Sequence, residues 1–181
     1  MHLLIVPGSL SATSQSHALA RKATEYVPEN IETTFLNPKD LDIQFCDGRE
    51  WGSYNDDTTT LQEAFKTADA YLFSVPVYNW SYSGVFKNMI DLVPPGEMGG
   101  TVAGLMAKGG GEKGFLMMQR ELRSLLTYFN IHTIPETVYA SNADFDGEQI
   151  TNTSIEDRIE SLVETTVRTR ERLGETTDQG I

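Results

Sequence analysis

The sequence predicts an α/β fold of three layers, in which a five-stranded parallel sheet lies between two layers of helices. Five short apolar segments alternate with segments of helical periodicity along the 181 residues. Strands that alternate with helices form right-handed βαβ units, and such units build a parallel sheet that is covered on both faces. The length suits one domain, predicted over residues 1–173 with a flexible tail at residues 174–181.

Each predicted strand is a short apolar or alternating run that is bounded by turn residues. The five runs cover residues 2–7, 31–36, 70–75, 101–107 and 131–139. Pro7-Gly8 ends the first run. Pro76 is expected to stop the third, because proline lacks the N–H that a strand ladder needs.

Each predicted helix carries its apolar residues at helical spacing. The helices cover residues 14–26, 57–68, 83–93, 115–129 and 154–173. In the fourth helix one face is expected to be buried, and it consists of Phe115, Met118, Leu122, Leu125, Leu126 and Phe129.

The composition excludes two classes of partner. The 26 acidic residues outnumber the 14 Lys and Arg residues, giving a net charge of −12, so the chain lacks the cations that nucleic-acid binding requires. It also lacks the apolar run of ~20 residues that a membrane span needs.

The cellular setting is predicted from the cysteine and the N-terminus. One cysteine, Cys46, and an N-terminus without the basic region of a signal peptide predict a reducing cytoplasm. The spread of acidic residues, with much Thr and little Lys, indicates a halophilic host, with an ordinary acidic protein as the alternative.

The loop after the first strand is rich in hydroxyl groups. Ligands of such sheets bind beyond the carboxyl ends of the strands, at the point where the strand order reverses. Residues 9–16 place five Ser and Thr hydroxyls there, at the start of a helix. Hydroxyls and the free amides of a helix N-terminus suit a monoester phosphate. A helix cap in a polar turn is the alternative.

The loops after the third and fourth strands suit a planar ligand. Three aromatic side chains, Tyr78, Trp80 and Tyr82, can flank a ring system while Asn79 addresses its polar edge. The alternative is core packing or a subunit contact. The glycines at 109–111 let the backbone approach a flat ligand, although a flexible turn would also explain them.

Four stretches of the chain together resemble the NAD(P)H-dependent FMN reductase family, which includes sulfonate-utilisation FMN reductases and chromate and azo-dye reductases. The stretches are Gly8 to Ser16, Pro76 to Asn79, Ser83 to Asp91 and Gly109 to Gly111. The resemblance implies a flavodoxin-like sandwich with strand order 2-1-3-4-5. It also implies an oxidoreductase that passes a hydride from NADPH or NADH to FMN and on to a second acceptor. Free flavin, a quinone, an azo or nitro compound and an oxidised metal are candidate acceptors. A flavodoxin-like FMN electron carrier without reductase turnover is the alternative.

The resemblance also assigns roles to individual residues. It makes Ser9, Ser14 and Ser16 phosphate ligands, with help from the Gln15 amide. It places Pro76, Val77, Tyr78 and Asn79 along the ring edge, and Gly109, Gly110 and Gly111 near the ring. Tyr78 is the candidate for shaping the nicotinamide site. No catalytic side chain and no metal are expected, since the flavin carries the chemistry.

One position departs from the family pattern. The family usually has an arginine where this chain has Ser11, and the loss of that charge-assisted contact predicts weaker retention of FMN. The family forms dimers and tetramers through the helix that begins near Ser83, so a homodimer or homotetramer is expected.

Overall fold

The central sheet has the predicted parallel arrangement. A computed structural model describes residues 1–11 and 13–178, and the side chains among them up to Gly174. The strands are β1 His2–Pro7, β2 Glu32–Phe35, β3 Ala70–Tyr78, β4 Ser81–Tyr82, β5 Val102–Lys108, β6 His132–Ala140, β7 Phe145–Asp146 and β8 Gln149–Ile150. The five parallel strands lie in the order β2-β1-β3-β5-β6. This is the predicted order 2-1-3-4-5, because the short β4 was not predicted and its presence raises the numbers of the last two strands by one.

Pro76 does not stop the third strand, so that expectation was wrong, and β3 continues to Tyr78. The carbonyl of Ser74 accepts the Gly8 amide at 2.8 Å, so the backbone polar groups of Ser74 face β1. The backbone of Pro76 is also directed toward β1, because Pro76 lies two residues after Ser74 in the strand. However, β1 has already ended at Pro7, so it offers no partner at this position. The missing N–H therefore breaks no ladder bond. Beyond this point β3 pairs antiparallel with β4, a short strand that was not predicted.

The helices follow the predicted order with two differences in extent. They are α1 Gln15–Glu25, α2 Thr58–Thr67, α3 Gly84–Asp91, α4 Phe115–Met117, α5 Arg123–Tyr128 and α6 Thr153–Asp178. A π-helical turn at Met118–Leu122 joins α4 to α5, so the predicted fourth helix is interrupted. Helix α6 continues through Asp178 rather than ending near 173, and residues 179–181 of the predicted tail lie outside the described residues.

Two apolar clusters fill the spaces on either side of the sheet and confirm the three layers. Alternate residues of each strand point to opposite faces. Leu3 and Ile5 of β1 pack with α1 and α6, whereas Leu4 and Val6 pack with α2, α3 and the α4–α5 region. Phe115 was expected on the buried face of the fourth helix but is 38% exposed. The wider π turn between α4 and α5 shifts the helical register, so Phe115 does not share the face that Leu122 and Leu126 bury.

Candidate functional site

The loops that follow β1, β3 and β5 meet at the carboxyl edge of the sheet and enclose two adjoining cavities. The first has a volume of about 350 Å³ and is called the serine cavity here. The second, the glycine cavity, has a volume of about 540 Å³. They share Val77, Gly109 and Gly110 as common wall, so they form one elongated depression.

The structure brings nearly all of the predicted site residues to this depression. The serine cavity is lined by Ser11, Ser14, Gln15 and Ser16 from the first loop, and by Pro76 and Tyr78 from the second. Asn79 and Gly111 line the glycine cavity.

Ser9 lines neither cavity. It is buried, its hydroxyl accepts the Ser11 amide at 3.1 Å, and its carbonyl accepts the His17 Nε2–H at 2.8 Å. These two hydrogen bonds stabilise the conformation of the loop after β1.

The N-terminus of α1 presents free donors to the serine cavity. Ser14 caps the helix by accepting the His17 amide at 3.3 Å, and its hydroxyl lies 2.8 Å from that of Ser16. Among the described residues, the amides of Gln15 and Ser16 have no acceptor. The Gln15 side chain donates to the Gly147 carbonyl at 2.7 Å, so its backbone amide is the group left for a ligand. Such a helix end favours an anion.

His17 connects the stability of this loop to pH. Burial lowers its pKa below the ordinary value of 6.5, while the hydrogen bond to the Ser9 carbonyl opposes that shift. Below about pH 6.5 the unfolded chain therefore binds more protons at this position than the folded chain. The contribution of His17 to stability is complete above that pH and decreases as the pH falls through it.

We expect the free energy of unfolding of the wild-type protein to decrease between pH 7 and about 5.5, and to decrease less in His17→Gln. Urea titrations of both proteins at each pH measure the difference. Equal pH dependence in the two proteins would contradict this account of His17.

The turn between β3 and β4 has an unusual backbone. Asn79 and Trp80 both have positive φ angles, 50° and 66°, between the paired residues Tyr78 and Ser81. Two such residues are typical of a type I′ hairpin turn, which suits asparagine but strains tryptophan. Trp80 is 59% exposed and lines the glycine cavity. The Ser81 hydroxyl donates to Glu121 at 2.6 Å, which ties the hairpin to the π turn.

The glycines after β5 make space for the side chain of Tyr139 and also line the glycine cavity. The Tyr139 hydroxyl donates to the Gly111 carbonyl, and burial raises the pKa of that tyrosine. A Cβ on Gly109 would lie 2.1 Å from the hydroxyl oxygen, and one on Gly114 would lie 2.4 Å from it. Gly110 and Gly111 have no such neighbour within 4 Å. Two of the glycines in residues 109–114 therefore make room for the phenol, and two leave their backbone open to the cavity.

Sequence reasoning assigned no role to six residues that line the depression, namely Lys108, Glu112, Lys113, Gly114, Tyr139 and Asn142. Lys108 is the last residue of β5, and its ammonium donates to the Asn142 side chain. Its position directly before the three glycines was a usable signal. Tyr139 and Asn142 are brought to the site by β6 and the turn that follows it, and no local pattern marks them.

Neither a metal site nor a membrane-spanning helix is found within the described part of the chain. No group of three or more His, Cys, Asp or Glu side chains there could hold a metal ion. Among the described helices, none is both long enough and apolar enough to span a bilayer.

The sequence is similar to known flavin reductases. The model of a family described as NADPH-dependent FMN reductase matches residues 1–145. An NAD(P)H-dependent FAD/FMN reductase of Geobacillus thermodenitrificans is 30% identical over 166 residues, covering 90% of this chain and 89% of the relative. The NADH-dependent FMN reductase SfnF of Pseudomonas putida is 31% identical over 168 residues, covering 91% and 90%.

Solved structures share the fold at lower identity. RosB, determined with 8-demethyl-8-formylriboflavin-5′-phosphate bound, has a TM-score of 0.80 at 20% identity, covering 97% of this chain and 81% of its own. The NAD(P)H:acceptor oxidoreductase FerB of Paracoccus denitrificans has a TM-score of 0.77 at 22% identity, covering 94% and 97%. These likenesses establish the three-layer fold.

Proposed function

This chain belongs to the NADPH-dependent FMN reductase family, and on that basis we propose that its two cavities together hold FMN and receive NADPH or NADH. The observation that carries the proposal is the meeting of two complementary surfaces in one depression. Free amides and hydroxyls at the start of α1 face the serine cavity, and open glycine backbone faces the glycine cavity. FMN combines a phosphate monoester with a flat ring system, so the donor set and the shape both suit it.

The phosphate end is assigned to the start of α1. The amides of Gln15 and Ser16 and the hydroxyls of Ser14 and Ser16 supply neutral donors, and the helix dipole adds a favourable potential. Ser11, which is exposed and lines the same cavity, can add another hydroxyl. Ser9 supports this arrangement through the loop rather than by contact with the phosphate.

The ring end is assigned to the common wall and the glycine cavity. Pro76, Val77 and Asn79 border the ring edge, while Gly110 and Gly111 leave space for its face. Tyr78 is 54% exposed and directly follows Val77 of the common wall, where its ring can border a nicotinamide that is aligned with the flavin ring.

The protein acts mainly by binding and alignment. FMN held by these walls would supply the redox chemistry, which is hydride transfer from NAD(P)H and delivery of the reducing equivalents to a second acceptor such as free flavin or a quinone. The walls of the depression would hold two rings in register, which is the contribution that a flavin requires of its protein. No acid or base side chain is assigned.

Anaerobic addition of NADPH or NADH to the FMN-loaded protein tests this function. We expect prompt loss of the visible absorption band of oxidised flavin, at a rate well above that of free FMN with the same nicotinamide. Bound FMN that keeps its band would contradict reductase turnover and favour the electron-carrier alternative. The curated relatives reported above are reductases, which supports the first result.

A substitution at Trp80 separates folding from ring binding. Trp80→Gly creates Asn-Gly, the pair best suited to a type I′ turn, so we expect the unfolding midpoint to stay equal or rise. The indole that borders the glycine cavity is lost, so we expect FMN and riboflavin to bind less tightly, by the same factor. Thermal unfolding and flavin fluorescence titration measure the two effects. A lower midpoint, or unchanged binding of both flavins, would contradict this role of Trp80.

We further propose the setting in which the enzyme works. The chain would form one domain over residues 1–173 and assemble as a homodimer or homotetramer. It would work in a high-salt cytoplasm, a setting that the excess of acidic residues supports. Leu10, in the loop after β1, is 56% exposed and supplies apolar surface for a subunit contact. Light scattering during gel filtration, at low and high salt, tests the oligomer.

A further inference from the structure

The charge of the serine cavity comes from outside its first loop. No Lys or Arg occurs between Gly8 and Ser16, so that loop offers only neutral donors to an anion. Among the described residues that line the cavity, Lys108 alone carries a formal charge. It reaches the cavity from the end of β5, on the other side of β3 from the serine loop.

Lys108 is a cation without an anionic partner. No carboxylate in the described part of the chain forms an ion pair with it, and its ammonium donates only to the neutral side chain of Asn142. Its side chain is partly buried, and burial lowers its pKa. Holding a partly dehydrated ammonium without a counter-ion is unfavourable in a protein with a net charge of −12, where carboxylates are abundant. An anionic ligand in the cavity would remove that cost.

We propose, resting on the function proposed above, that Lys108 is the cationic ligand of the FMN phosphate and that Asn142 positions its ammonium. The phosphate would then be held from two sides, by the amides and hydroxyls of α1 and by the ammonium from β5. This arrangement makes Ser11 compatible with firm retention of FMN, because the charge that the loop lacks is supplied by a distant segment of the chain. It revises the expectation of weak binding that the sequence alone gave.

Titration of the full-length, flavin-free protein with FMN and with riboflavin tests this role, because the two flavins differ only in the phosphate. We expect Lys108→Met to weaken FMN binding by about 10- to 100-fold and to leave riboflavin binding unchanged. Lys108→Arg keeps the charge and should recover most of the affinity. Lys66→Met, on the exposed side of α2, makes the same change of charge away from both cavities and should bind FMN as the wild type does.

The possible failures are distinguishable. A wild-type protein that binds neither flavin would overturn the proposed function and this inference with it. A wild type that binds FMN together with a Lys108→Met protein of equal affinity would overturn the inference alone. An equal loss for FMN and riboflavin would place Lys108 at the ring instead of the phosphate. Unchanged FMN affinity with a raised KM for NADPH would assign the charge to the nicotinamide cofactor.

Discussion

Gly104→Ala is expected to lower the free energy of unfolding by about 3 kcal/mol, although the change adds a single methyl group. Gly104 lies in β5 where helix α6 crosses the sheet. A Cβ there would lie 2.6 Å from Thr166 Oγ1, 2.7 Å from a Leu72 methyl carbon and 3.2 Å from Leu162 Cγ. The Thr166 hydroxyl cannot move freely, because it donates to the Leu162 carbonyl at 2.7 Å. Either α6 moves away from the sheet or the strand shifts, and both changes disturb a close-packed core.

Urea denaturation of Gly104→Ala beside Gly96→Ala measures this effect. Gly96 has no atom within 4 Å of a built Cβ, so its substitution should leave stability equal or slightly higher by restricting the unfolded chain. Equal midpoints for the two variants would show that α6 accommodates the methyl group without cost, and would contradict the packing argument.

The sequence predicted the sheet well because the information for it is local. Apolar runs separated by helical periods are enough to give five parallel strands, and the wall residues Pro76 to Asn79 follow from where the third run ends. The detail at that end was wrong for a physical reason. Whether Pro76 can stay in the strand depends on where β1 stops, and this is a property of a neighbour about 70 residues earlier in the chain.

The parts of the site that the sequence did not reveal are those made by distant segments. Ser9 matched a pattern of loop hydroxyls, yet its hydrogen bonds are within the loop and to His17. Lys108 and Asn142 belong to different segments and meet only when β5 and β6 pair. No sequence pattern marks the π turn or the strained backbone of Trp80. A regular α-helix would show the same apolar spacing, and an unstrained loop could contain the same aromatic residues.

Gly109→Ala is expected to impair both stability and flavin binding, because it removes the space that Tyr139 occupies. The new Cβ would lie 2.1 Å from the Tyr139 hydroxyl oxygen and 3.0 Å from Cζ, and a rigid phenol cannot bend away as a flexible side chain would. The Tyr139 hydroxyl would then lose its hydrogen bond to the Gly111 carbonyl. That bond is the contact that holds residues 109–114 beside the cavity. We expect a decrease of about 1–3 kcal/mol in the free energy of unfolding and a clear loss of affinity for FMN.

Gly110→Ala separates the two effects, since a Cβ there meets no protein atom within 4 Å but projects from a residue that borders both cavities. Its stability should match the wild type while its flavin affinity falls. Adding Tyr139→Phe to Gly109→Ala removes the oxygen that makes the closest contact, so the double variant should recover part of the lost stability, a coupling that additive effects would not give. If the double variant is no more stable than Gly109→Ala, then the phenol is not the obstacle, and the glycine at position 109 must be required by the path of the backbone itself.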